Sequence, residues 1–169
     1  MQNIVLSRSQ LGSYVKLVNR LTEAQKEAVK EIGFGGILNL RQTKLEIKLL
    51  RWLADKFNPK TQTLNLHGKN LKLTLESVSS ILGLKNEGLE VSLEKPNLEI
   101  SARYVIKGGR VSLKILKEEL EKCEEHGEFF KRNFALYTLG AVLCPTTNLS
   151  INQSFLSVVE DVANIGNRN

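Results

Sequence analysis

A chain of 169 residues can remove roughly 70% of its unfolded surface from water, so a single domain needs no disulfide framework and no structural metal. Two cysteines and two histidines are too few for a disulfide scaffold, and Cys123 with His126 lacks the remaining ligands of a zinc site. The formal charge of +6 is uneven: residues 1–72 hold 13 Lys/Arg against 5 Asp/Glu, and residues 73–169 hold 11 against 13. A basic half of this kind fits either a solvated surface or an acidic partner such as nucleic acid. The longest nearly apolar run, Phe134 to Cys144, is broken by Thr138 and Gly140 and is too short to span a bilayer.

In chain order, residues 1–21 read as an N-terminal arm, irregular or helical. Arg8 and Lys16 interrupt any secretory core, while the lack of acids through residue 22 also suits an organellar transit peptide, the lesser alternative. Thr22-Glu23-Ala24-Gln25 has capping-box spacing and predicts a helix over about 23–32 that ends at Gly33. Gly33-Phe34-Gly35-Gly36 reads as a tight connection anchored by Phe34; no strand precedes it and it lacks the spacing of a phosphate-binding loop. A strongly patterned helix is predicted over about 43–57. Leu45, Leu49, Trp52 and Leu53 lie on one side, Ile47, Leu50 and Phe57 widen it, and the expectation is a largely buried helix. Its one polar stripe holds Arg41, Lys44, Lys48, Arg51 and Asp55, within about 80° of one another at 100° per residue. Such a stripe is a solvated face or a phosphate-binding one. Asn58-Pro59 ends the helix.

The stretch from Thr63 to Leu84 is the clearest in the chain. Leu64, Leu66, Leu71 and Leu73 alternate with polar residues around a reversal at His67-Gly68-Lys69-Asn70, which predicts a β-hairpin. Thr74 then caps a helix expected to bury Val78, Ile81 and Leu82 and to stop at Gly83. Residues 85–97 read as loop, and Leu98, Ile100 and Tyr104-Val105-Ile106 suggest a short strand before the Gly108-Gly109 turn. Ser112 can cap a helix over about 113–126 with Leu113, Leu116, Leu120 and Cys123 on one stripe and five glutamates elsewhere. Gly127 separates it from a helix over about 128–143, and a last helix is expected from about 153 to 164.

No arrangement for catalysis stands out. The glutamates form no distinct acid/base pair, and Cys144, before a proline and after a run of core residues, reads as a buried thiol that could act as a nucleophile only with a histidine beside it. His67 at the hairpin tip suits turn chemistry or a partner contact.

Several blocks, taken in order, resemble the plant mobile domain, also known as the aminotransferase-like mobile domain of the maintenance-of-meristems family. They are Gly33-Phe34-Gly35-Gly36, Trp52-Leu53 before the Asn-Pro break, Leu64 to Lys69, Val78 with Ile81-Leu82-Gly83-Leu84, Leu139-Gly140 leading to Leu143-Cys144-Pro145-Thr146, and Asp161-Val162 with Asn164-Ile165. The resemblance spans about Thr22 to Ile165. It implies a plant protein of a family linked to retrotransposons and, in host-encoded members, to nuclear silencing and meristem maintenance. No lysine lies in a recognisable pyridoxal-phosphate context, so the aminotransferase activity is not carried over and no cofactor or metal is expected. Family members continue past the last block. The chain therefore reads as an N-terminal portion, whose helices would leave apolar surface for self-association or a partner.

The expected fold is α+β and mostly α-helical, with one β-hairpin at about 63–73 and a further short strand near 98–106, in a domain over 22–169 behind the 1–21 arm. The expected function is a non-catalytic nuclear interaction domain that contacts protein and, through its basic stripe, nucleic acid. The alternatives are a cysteine-dependent enzyme, a transposon-derived fragment without activity of its own, or a cytoplasmic location. Candidate contact residues are Arg41, Lys44, Lys48, Arg51, His67 and Lys69. Structural roles are expected for Gly33, Phe34, Gly35, Gly36, Trp52, Gly68, Gly83, Cys144 and Pro145.

Overall fold

The protein is described from a computed structural model covering residues 10–41, 46–106, 108–146 and 148–167. Lys44 and Leu45 of the predicted stripe and apolar face lie outside these residues. The fold is α+β and mostly helical, as expected, with two small three-stranded antiparallel sheets.

The core is organised around helix α7 (Glu128–Thr138), in which Phe130, Asn133, Phe134, Ala135, Leu136, Tyr137 and Thr138 are all buried. With seven of its eleven residues buried, the helix is enclosed by its neighbours on most sides. Helix α1 (Leu11–Val18), inside the segment read as an arm, supplies one wall and buries Tyr14, Val15, Leu17 and Val18. The Tyr14 ring stacks 6.0 Å from Tyr137 and tilts 6.0 Å from Phe134, and its phenol oxygen accepts a hydrogen bond from Thr138. Helix α2 (Glu23–Glu31) carries the predicted capping box, with Thr22 Oγ1 accepting from the Gln25 amide and Gln25 Oε1 from the Thr22 amide. Gln25 also reaches across the fold. Its Nε2 donates to the carbonyls of Cys123 at 2.9 Å and Glu125 at 3.1 Å, closing the C-terminal end of helix α6 (Leu113–Lys122). This explains why α6 stops short of the predicted residue 126: the carbonyls beyond it are held by another helix. Its predicted stripe is otherwise in place, with Leu113, Leu116 and Leu120 buried.

The predicted strand near 98–106 is mostly helix. Asn97 Oδ1 accepts from the Glu99 amide and starts helix α5 (Leu98–Tyr104), so only its last part is extended. An N-cap outweighs the weak alternation of Leu98 and Ile100. After α5 come strands β4 (Val105–Ile106) and β5 (Arg110–Ser112), and a third partner, β6 (Ser150–Asn152), joins them in an antiparallel sheet. Val105, Val111 and Ile151 stand opposite one another across it. The last predicted helix is broken into a 3₁₀ turn (Gln153–Phe155), a short α-helix α8 (Leu156–Val159) and a second 3₁₀ stretch (Val162–Asn167). Buried Asn133 is partnered at both ends of its amide: Tyr104 donates its hydroxyl proton to Asn133 Oδ1 at 2.6 Å, and Asn133 Nδ2 donates to Glu119 at 2.9 Å. Among the described residues no helix is long and apolar enough to cross a membrane.

All three tyrosines of the chain have their phenols pushed above the ordinary value, in each case chiefly by burial. An acid whose folded-state pKa is raised keeps its proton where the unfolded chain has lost it. Stability from this source is complete below about pH 10 and falls as pH rises past the unfolded phenol pKa. The urea midpoint is therefore expected to drop steadily above about pH 10, and Tyr14→Phe to flatten that drop. A midpoint that does not move over this alkaline range would contradict the burial of the three phenols.

Candidate interaction face

Residues 46–83 build a separate layer in which no side chain is fully buried. Helix α3 (Ile47–Lys56) runs into strand β1 (Phe57–Asn58), which pairs with β2 (Thr63–Leu66), itself paired with β3 (Lys69–Lys72). The hairpin is tighter than the sequence pattern indicated. Its reversal is the two residues His67 and Gly68, both at positive φ (48° and 82°), while Lys69 and Asn70 already belong to β3. Two left-handed residues match the twist of the flanking strands. Asn58 Oδ1 accepts from the amides of Lys60 and Thr61 and turns the chain after β1. Phe57, Leu64 and Leu71 form a row across the three strands, the pairing that stabilises a sheet. Helix α4 (Leu75–Leu82) begins with a Thr74–Ser77 capping box and ends at Gly83 in the left-handed conformation, as predicted.

Burial differs from the expectation throughout this layer. α3 buries no residue, and its partner is the small sheet, which leaves Leu50 and Leu53 half-covered. Leu49 is 52% exposed and Trp52 38%; on the hairpin Leu71 is 53% exposed, and on α4 Leu75 is 70% and Ile81 77%. Ile47, Phe57, Leu73 and Val78 are exposed as well. An amphipathic pattern specifies that a face wants cover and is silent on what covers it.

The candidate contact residues are only partly united. Lys48 and Arg51 lie exposed on α3, whereas Arg41 stands before the helix in extended chain, so the five-residue stripe does not form one helical face. His67 at the hairpin tip and Trp52 on α3 come together with ring centroids 6.1 Å apart. Lys69 sits exposed two residues on from His67, opposite Leu66. Across residues 46–83 six Lys/Arg stand against three Asp/Glu. Among the described residues none of these six cations enters an ion pair. The acidic face of α6 is different, since Glu118 pairs with Lys114 at 3.8 Å, and Glu121 with Lys117 at 3.5 Å and Arg20 at 3.7 Å.

The glycines of the first block have distinct tasks. Gly33, at φ +83°, ends α2's connection against the backbone of Gly166. Gly35 opens a 3₁₀ turn (Gly35–Asn39), and Gly36 lies directly on the backbone of Leu82 and Gly83, where a Cβ would overlap both carbonyls. Gly68 has open space around it, so its role is conformational alone. Phe34 anchors the connection and, with Leu84, Val91, Leu139, Leu143, Val158 and Ile165, lines an apolar cavity of about 210 Å³. Blocks distant in sequence therefore meet at one place, which neither spacing nor periodicity could have revealed. Cys144, expected to be a buried thiol, is exposed together with Pro145 just past a π-helical turn (Leu139–Leu143) that ends α7. Partial burial nevertheless pushes the Cys144 thiol above its usual value, the opposite of what a nucleophile needs. Among the described residues no group of three or more His, Cys, Asp or Glu could hold a metal ion.

The family described as a domain of unknown function, DUF8566, matches residues 7–169. The chain belongs to the DUF8566 family. This member is similar to three curated proteins of Arabidopsis thaliana. It is 27% identical to Protein MAINTENANCE OF MERISTEMS over 87% of the chain and 34% of that protein. With Protein MAIN-LIKE 1 the identity is 25% over 87% of the chain and 33% of the relative, and with Protein MAIN-LIKE 2 it is 26% over 94% and 25%. The resemblance to the maintenance-of-meristems family read from the sequence blocks is thereby borne out, and the chain spans between about a quarter and about a third of these relatives' length. No solved structure matches the chain significantly.

Proposed function

We propose that this DUF8566 chain is a non-catalytic interaction domain that works in the nucleus, in gene and transposon silencing and meristem maintenance, through the face built by α3, the hairpin and α4. The observation that carries the reading is the exposure, within residues 46–83, of large apolar side chains together with six cations that enter no ion pair among the described residues. Large apolar side chains left in water among unpaired charges are the physical mark of a contact site. The names of the relatives support the family setting, and the raised Cys144 thiol counts against cysteine catalysis.

The test is recovery of binding partners from plant nuclear extract, alongside retention of duplex and single-stranded DNA and RNA. A double reversal, Lys48→Glu with Arg51→Glu, changes two exposed side chains and should leave the fold intact. It is expected to lower recovery of at least one bound class about tenfold or more, the loss of two charge contacts of roughly 1 kcal/mol each at a partly desolvated interface. Recovery and nucleic-acid retention both equal to the unaltered chain would remove this face from the function.

A further inference from the structure

Within the reading just given, the chemistry of the partner can be narrowed. We infer that the α3–hairpin–α4 face is a docking surface for an acidic amphipathic helix of a partner protein. The shape argument comes from α4, where exposed Leu75, Val78 and Ile81 make one apolar stripe spaced three residues apart. Leu49 and Trp52 hold the same spacing on exposed α3. Stripes of this spacing receive the ridges of another helix. The charge argument comes from Lys48 and Arg51 on α3 and Lys69 at the start of β3, two residues on from His67 of the Trp52–His67 ring pair, all exposed and in no ion pair among the described residues. Lys72 at the end of β3 is exposed too, but it already faces the Glu76 carboxylate. A partner with leucines on one side and Asp/Glu flanking them satisfies both features at once.

Two other occupants fit less well. Nucleic acid matches the charge but would leave Leu75 and Ile81, 70% and 77% exposed, facing a polar backbone, and protein–DNA interfaces are more polar than this face. A second copy of the same face would match the apolar stripes but set cation against cation across a two-fold axis, with six Lys/Arg against three Asp/Glu on each side, a juxtaposition that is unfavourable. The acidic residues of α6 offer no ready complement, because Glu118 and Glu121 already have lysine partners.

The experiment uses the full chain and fluorescent designed helices of about 18 residues, long enough to hold helical structure. One carries a leucine stripe with glutamates, a second the same stripe with lysines, and a third the glutamates with the leucines changed to serine. Anisotropy titrations are run at low and high salt, next to a DNA duplex and a sedimentation series of the chain alone. The acidic leucine helix is expected to bind at least about tenfold tighter than either control, to weaken with salt, and to lose about tenfold with Lys48→Glu/Arg51→Glu or with Leu75→Ser/Ile81→Ser. Equal binding of the lysine helix or of the serine helix overturns the inference. So does duplex binding, or dimerisation, that the same variants abolish while the acidic helix fails to bind. In either of these last cases the face keeps its role as a contact site and only the partner's chemistry is wrong. If no probe binds and the extract experiment is unaffected by the variants, the functional reading itself fails.

Discussion

Gly36→Val is expected to detach the α3–hairpin–α4 layer from the core without unfolding the core. A Cβ at Gly36 would occupy the space of the Leu82 and Gly83 carbonyls and the Gly83 Cα, and backbone atoms cannot rotate aside as side chains do. Gly36 is not among the glycines at positive φ, so the cost of the change is contact alone. Gly83 contributes the other half of this approach, because its own Cβ position lies 2.8 Å from the Gly36 Cα and its φ is +64°. Losing this seat should cost more than about 2 kcal/mol locally. The core contains no residue of the layer, so its cooperative transition should survive. Limited proteolysis under native conditions is expected to cut within residues 84–97, which link the layer to the core, much faster in the variant, followed by a resistant core. Gly68→Ala provides the comparison: its strain is conformational, with no neighbour to strike, and it should cost only about 1 kcal/mol and leave the cleavage pattern unchanged. An unaltered pattern in Gly36→Val would show that the two segments do not touch there.

The second large effect concerns two aromatic residues of very different burial. Phe134→Ala should lower stability by about 3–5 kcal/mol, whereas Trp52→Ala should cost less than about 1.5 kcal/mol. Phe134 is fully buried, with its ring 5.8 Å from Phe130 and 6.0 Å from Tyr14. Its removal opens a void between α7 and α1 that neither helix can close without losing other contacts. Trp52 is 38% exposed and has the His67 ring as its neighbour, so water already replaces part of what the mutation removes. Against a total of about 5–15 kcal/mol for a domain, the first change is a large fraction and the second is small. Equilibrium urea unfolding measures both. A Trp52→Ala loss equal to that of Phe134→Ala would mean that the α3 layer is part of the core. Trp52→Ala should nonetheless weaken capture of the acidic leucine helix, separating a contact residue from a packing one.

Local signals were read well because their physics is local. The Thr22–Gln25 box, the Thr74 and Ser112 caps, the left-handed Gly83 and the alternation at 63–72 each depend on a few consecutive residues satisfying their own backbone groups. The same locality misled at Leu98, where the Asn97 cap prevailed over weak alternation, and at His67-Gly68, where two left-handed residues made a shorter turn than the polar run suggested. Arg41 was joined to Lys48 and Arg51 by extrapolating helical geometry past the point where the helix starts, at Ile47.

By itself the sequence determined the mostly helical α+β composition, the hairpin, the caps, the uneven charge and the family blocks, because each is a property of neighbouring residues or of their count. Tertiary structure alone decided which apolar faces found cover. It took Tyr14 and Leu17 from an expected arm into the centre, left Leu75, Val78 and Ile81 in water, brought His67 to Trp52, and gathered Phe34, Leu84, Leu139 and Ile165 around one cavity. An apolar stripe lowers its free energy against any complementary surface, so periodicity states the demand for burial, while the supply depends on where distant segments are held by contacts such as Gly36 on Gly83 and Gln25 on the end of α6.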